Sequence, residues 1–98
     1  MSLRHIVLFR FEPGTTDAQI AEMAAGLDGL PGAIPEMGRY RHGRDAGITE
    51  TSWDYAIVGE FASPEDYLTY RDHPVHQDVI RTLVLPIVAE RAGAQLPD

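Results

Sequence analysis

The stretch Leu3-Arg4-His5-Ile6-Val7-Leu8-Phe9-Arg10-Phe11 decides the fold of this 98-residue chain. Successive side chains of a strand point to opposite faces, so its odd-numbered residues share one face and its even-numbered residues share the other. The odd face is almost wholly apolar, and Ile6 and Leu8 make the middle of the even face apolar as well. A strand with two apolar faces belongs in the interior of a sheet that is covered on both sides.

Three further strands and two helical regions follow in the sequence. Strands are predicted at Met37 to Arg44, Trp53 to Phe61 and Ile87 to Leu96. The alternation of apolar residues is clear only in Trp53 to Phe61. The other two segments contain glycines and have weaker strand propensity. A capping box formed by Thr16 and Gln19 predicts the start of the first helix.

The second helical region has a start signal and an interruption. Ser63 followed by Pro64 is typical of a helix start, and Pro74 should end that helix and begin another. We expect a buried stripe on the second piece, made of Val75, Val79, Ile80 and Leu83.

The order of these elements predicts a single domain over residues 1–98 with a ferredoxin-like α+β fold. This split β-α-β sandwich places its helices on one face of the sheet. The other face carries apolar residues that one protomer cannot cover, and a second copy of the chain is the economical cover. We therefore expect a homodimer that buries Ile6, Leu8, Ala56 and Val58.

Composition excludes several classes of partner. The net charge is −7 and the sequence pI is near 4.9, which argues against binding to nucleic acid or to an anionic membrane. The chain has no cysteine, which fits a cytoplasmic protein. No apolar run approaches the roughly 18 residues of a membrane helix, and the N-terminus lacks the pattern of a signal peptide.

The segment Tyr70-Arg71-Asp72-His73-Pro74-Val75-His76 is the richest in chemical groups. His76 falls in the first turn of a helix, where the helix dipole favours a neutral imidazole that can act as a base. The alternative is a histidine that only packs in the core. Tyr70 can likewise stabilise an enolate oxygen or simply fill the core.

Two other histidines have structural interpretations beside functional ones. His5 shares a strand face with Val7 and Phe9. It therefore either points into a cavity beneath the helices or has only a structural role in the strand. His42 stands among arginines and is expected to be solvated. His73 and His76 have the spacing of metal ligands, but no carboxylate completes the set, so no metal is expected.

Four motifs in order resemble the stress-responsive dimeric α/β-barrel family (Dabb). They are His5-Ile6-Val7-Leu8-Phe9, Leu30-Pro31-x-x-Ile34-Pro35, Phe61-Ala62-Ser63 and Tyr70-x-x-His73-Pro74-x-His76. The resemblance covers about Arg4 to Leu96. It implies a ferredoxin-like protomer, a homodimer closed as a barrel, and a small cavity in each protomer.

The resemblance also implies candidate site residues. One plant member, olivetolic acid cyclase, closes a β-keto chain by aldol condensation, and its pocket residues look like Tyr70, His76 and His5 here. A carboxylate that orients its histidine is replaced by Gln95, which we expect to contact His76. The other expected ligand-binding residues are Val7, Phe9, Tyr55 and Ile57.

Three functions remain open from the sequence. The chain is a protein that binds an unidentified small molecule, a cofactor-free cyclase or lyase of the aldol type, or a stress-associated oligomer without a reaction. No metal or organic cofactor is expected in any of them. A cavity large enough for a ligand would favour the first two.

Overall fold

The computed structural model describes all 98 residues as a four-stranded sheet with helices on one face. Its strands are β1 (Leu3–Phe11), β2 (Tyr40–Arg44), β3 (Tyr55–Phe61) and β4 (Val88–Pro97). Its helices are α1 (Asp17–Asp28), α2 (Leu30–Ala33), α3 (Pro64–Asp72) and α4 (Pro74–Val79), and a π-helical turn over Ile80–Val84 continues α4. No helix is both long enough and apolar enough to cross a membrane.

The sheet order is β2-β3-β1-β4, and every neighbouring pair is antiparallel. This order and the βαββαβ sequence confirm the ferredoxin-like fold. The strand β1 is central, as its two apolar faces predict. Its residue His5 lies opposite Gly59 of β3 and opposite Gln95 of β4, which fixes what surrounds the imidazole.

Local signals in the sequence set the helix starts. The Thr16 hydroxyl accepts a hydrogen bond from the Gln19 backbone at 3.2 Å, and the Gln19 side chain accepts one from the Thr16 backbone at 2.9 Å. The Ser63 hydroxyl accepts a bond from the Asp66 backbone at 3.1 Å. These bonds satisfy backbone groups that a helix start otherwise leaves open.

The core lies between the helices and the odd-numbered face of β1. Leu3 and Phe9 are buried there in one hydrophobic cluster with Met23 and Leu27 of α1. On the other face, Leu8 and Val58 remain 36% and 37% exposed although the sheet around them is regular. The apolar second face is therefore uncovered in a single protomer.

Two sequence expectations about the elements are wrong in detail. The strand β2 begins at Tyr40 rather than Met37, although the Gly38 backbone still bonds to Glu60 of β3 at 2.9 Å. Val75 is 40% exposed, and Val84 rather than Leu83 is fully buried. A π-helical turn holds more residues than an α-helical turn, so residues after Val79 face directions that an α-helical period does not predict.

Candidate functional site

A cavity of about 580 Å³ opens between the sheet and the helices. This volume falls within the range of small-molecule sites. Seven of the eight residues predicted for the site line it: His5, Val7, Phe9, Ile57, Tyr70, His76 and Gln95. The strands β1, β3 and β4 form its floor, and α3 and α4 bring the tyrosine and the second histidine above it.

The break between α3 and α4 positions His76. His73 caps α4 with its ring, whose Nδ1 accepts a bond from the Val75 backbone at 3.1 Å. A continuous helix would give that backbone N–H to the carbonyl of Arg71. The break frees this carbonyl, which accepts bonds from Nδ1 of His76 at 2.9 Å and from Nε2 of Gln77 at 2.6 Å.

The bond to the Arg71 carbonyl selects one tautomer of His76. A carbonyl only accepts, so Nδ1 must carry the proton and Nε2 of the neutral ring keeps its lone pair. Burial lowers the pKa of His76 below the ordinary histidine value, against the opposing effect of the Arg71 carbonyl. His76 is therefore a neutral imidazole at pH 7, and its free nitrogen can accept a proton.

Tyr70 stands beside His76. Their ring centroids are 4.2 Å apart, and both side chains are buried. Burial raises the pKa of Tyr70 to about 12, so its hydroxyl stays protonated near neutral pH. The pair therefore combines a hydrogen-bond donor with a proton acceptor on one wall of the cavity.

His5 completes the polar end of the cavity. It is 8% exposed, and burial, followed by the nearby His76, lowers its pKa to about 4. The Gln95 side-chain nitrogen donates to Nδ1 of His5 at 3.0 Å and to the Tyr67 hydroxyl at 3.0 Å. The ring of Tyr67 packs on His5 with centroids 4.8 Å apart.

The expected contact between Gln95 and His76 is therefore wrong. Gln95 lies directly across from His5 in the β1–β4 register, and its amide is engaged by His5 and Tyr67. The Arg71 carbonyl takes the orienting role at His76 instead.

The expectation that Tyr55 lines the cavity is also wrong, and so is the expectation that His42 is solvated. Tyr55 is buried at the far end of the sheet, and its hydroxyl donates to Nδ1 of His42 at 2.7 Å. Nε2 of His42 donates to Asp28 of α1 at 2.6 Å, and the His42 side chain is only 8% exposed. This chain of bonds ties the β2–β3 edge to α1 and holds Tyr55 away from the cavity.

Nine of the 16 residues that line the cavity were not predicted for the site, and the polar or charged ones among them include Tyr67, Arg71 and Arg91. Tyr67 could have been found, since it precedes Tyr70 by one helical turn and shares its face. Arg91 could also have been found, because it lies four residues before Gln95 on the same face of β4. Nowhere in the structure do three or more histidine, aspartate or glutamate side chains form a group that could hold a metal ion.

Comparison with known proteins gives one family. The model of the stress-responsive A/B barrel domain matches residues 3–94. No curated protein matches the chain.

Solved structures agree with the family match. A dimeric ferredoxin-like protein of unknown function from Thermobifida fusca is 33% identical, with a TM-score of 0.91 over 100% of this chain and 92% of that one. A Dabb family protein from Mesorhizobium loti is 20% identical, with a TM-score of 0.83 over 99% and 96%. The hydroxynitrile lyase from Passiflora edulis is 22% identical, with a TM-score of 0.86 over 99% and 94%.

Proposed function

The chain belongs to the stress-responsive A/B barrel family, and we propose that it binds a small, partly apolar molecule in the cavity between its sheet and its helices. The cavity volume of about 580 Å³ supports this proposal. Its floor is apolar at Val7, Phe9 and Ile57, while His5, Tyr70 and His76 supply polar atoms at one end. An apolar pocket with a few convergent polar groups is the usual form of a small-molecule site.

One observation favours a reaction as well as binding: the free Nε2 of His76. The Arg71 carbonyl holds the proton on Nδ1, and burial keeps the ring neutral, so the other nitrogen is available as a general base. We therefore propose, as a second function, cofactor-free aldol-type chemistry on a β-keto compound, as a cyclase or a lyase.

The proposed reaction needs only groups that the chain supplies. Nε2 of His76 removes a proton from the carbon between two carbonyl groups, and the electron pair moves into the enolate. The Tyr70 hydroxyl donates a hydrogen bond to the enolate oxygen as negative charge develops there. The enolate carbon attacks a second carbonyl carbon, and His76 returns its proton to the resulting alkoxide.

The fold of a solved relative is compatible with this second proposal. A protein named as a hydroxynitrile lyase shares the fold of this chain over nearly its whole length. The assignment of proton transfer to His76 and Tyr70 depends on the geometry of this chain.

A panel of linear β-diketones and β-keto esters tests both proposals by NMR. Binding should shift the ring signals of His76 and Tyr70, and turnover should consume the substrate. His76→Gln should abolish turnover, and Tyr70→Phe should slow it about 10²- to 10³-fold if the hydroxyl is an oxyanion donor. Dialysis against a chelator should leave the rate unchanged, because the proposed steps use no metal.

His73→Asn is the matched control for these variants. It removes an imidazole three residues from His76 but keeps a side chain that caps helices well. This variant should retain binding and turnover. Undiminished turnover in His76→Gln would contradict the proposed reaction, and unshifted His76 signals throughout the panel would contradict the proposed binding.

We also propose that the chain forms a homodimer through the uncovered face of its sheet. The exposed Leu8 and Val58 and the half-buried Ile6 and Ala56 lie together on that face. The relative from Thermobifida fusca is described as dimeric. Ile6→Asp should dissociate the dimer in sedimentation velocity, and a folded wild-type monomer at micromolar concentration would contradict the proposal.

A further inference from the structure

Arg91 is a cation in the cavity wall that no carboxylate of the chain balances. It lines the cavity from β4, directly across from Phe9 of β1. None of the seven ion pairs in the structure includes it. The other arginine of the wall, Arg71, is paired with Asp72 through two hydrogen bonds of 2.9 and 3.2 Å.

The charge around Arg91 is unusual for this chain. The whole chain has 15 acidic and eight basic residues, yet no aspartate or glutamate lines the cavity. The two cavity histidines have lowered pKa values, so neither adds a positive charge near pH 7. One uncompensated positive charge therefore faces a cavity in an otherwise acidic protein.

The strand register gives the distance along the cavity floor from Arg91 to the polar end at His5 and Gln95. Gln95 and His5 form one cross-strand pair, Gly93 and Val7 form the next, and Arg91 and Phe9 form the third. The middle pair is apolar and lacks a side chain on β4, which leaves an open path along the floor. Four residues of strand separate Arg91 from Gln95 by roughly 13 Å between Cα atoms.

We propose that Arg91 binds a carboxylate on the ligand, so that the cavity accepts a carbonyl compound with a short apolar chain and an anionic tail. This inference rests on the proposed binding function and specifies its ligand class. A guanidinium matches a carboxylate with two parallel hydrogen bonds, and one unpaired guanidinium balances one negative charge. A ligand with roughly five bonds between its carbonyl carbon and its carboxylate carbon would span about half of this separation, and an Arg91 side chain that lies along the floor would span the rest.

Two probes that differ in charge test the proposal: 6-oxoheptanoate and its amide, 6-oxoheptanamide. Dissociation constants are measured by NMR titration of the amide and histidine ring signals at low salt. Wild type should bind the carboxylate about fivefold to tenfold more tightly than the amide, and the preference should shrink as salt is added. Arg91→Gln should bind both probes equally.

Arg39→Gln is the matched control. Arg39 and Arg91 are both exposed, and neither has an ion-pair partner. Arg39, however, precedes β2 at the opposite edge of the sheet. The control changes the net charge equally and should keep the full preference. The assignment of Arg91 is overturned if the preference for the carboxylate over the amide survives in Arg91→Gln or is absent in wild type. Binding of the amide beside His76 would still support the proposed binding function in that case. Failure of both probes to shift His76 overturns the proposed ligand class, and the panel of β-diketones and β-keto esters then tests the binding function separately.

Discussion

Acid should destabilise this protein through His5, and the structure gives the size of the effect. Burial, with a smaller contribution from His76, lowers the pKa of His5 from 6.5 to about 4 in the folded chain. Between these two values the unfolded chain binds a proton that the folded chain does not. Stability is therefore complete above pH 6.5 and is lost as the pH falls toward 4.

The expected loss follows from the two pKa values of His5. Moving from pH 7.5 to pH 4.5 should cost about 2–3 kcal/mol of unfolding free energy through this one ring. That loss is a large fraction of the roughly 5–15 kcal/mol that stabilises a typical domain. The lowered pKa of His76 acts in the same direction.

Urea unfolding across this pH range measures the effect. His5→Gln has no titrating ring at that position. Its free energy of unfolding should therefore fall by about 2–3 kcal/mol less than that of wild type over the same interval. Carboxylates titrate in both proteins, so their contribution cancels in the difference. All samples need one protomer concentration, because association would shift apparent stability. Parallel stability curves for the two proteins would refute this reasoning.

The remaining predictions concern single substitutions. Gln95→Glu should raise the pKa of His5 by about 1–3 units in an NMR titration, because a carboxylate would replace the amide 3.0 Å from Nδ1; an unmoved titration would show that the two side chains do not touch in solution. Gly38→Ala should lower the free energy of unfolding in urea by about 1–3 kcal/mol, because the added Cβ would lie 2.7 Å from the Glu60 backbone oxygen. Gly43→Ala is the control, since its Cβ would meet no atom within 4 Å and should cause no such loss. Ser63→Ala should lower the thermal midpoint, with a cost of about 1 kcal/mol for the lost cap; an unchanged midpoint would contradict the capping role.

The sequence predicted the sheet well because strands allow few alternatives. A residue on a strand has only two faces, so the parity of β1 placed His5, Val7 and Phe9 together. Start signals such as Ser63-Pro64 act locally, and the structure confirms them. These features depend on neighbours in the chain.

The contacts of individual side chains were harder to predict. Gln95 contacts His5 rather than His76, because the break at Pro74 offers His76 a backbone carbonyl that no side-chain pattern reveals. His42 stands among arginines in the sequence, but α1 brings Asp28 against it. Such contacts depend on how elements separated in the sequence pack together.

The backbone carbonyl that holds His76 has a kinetic consequence. In many enzymes the partner of a catalytic imidazole is a carboxylate, whose own ionisation adds to the dependence of rate on pH. An amide carbonyl does not ionise, so the ring of His76 keeps one orientation at every pH at which the chain stays folded. The rate of any reaction that uses this base should therefore rise along a single acid limb at the pKa of His76, which burial places below the ordinary histidine value. It should then stay level until Tyr70 ionises near pH 12.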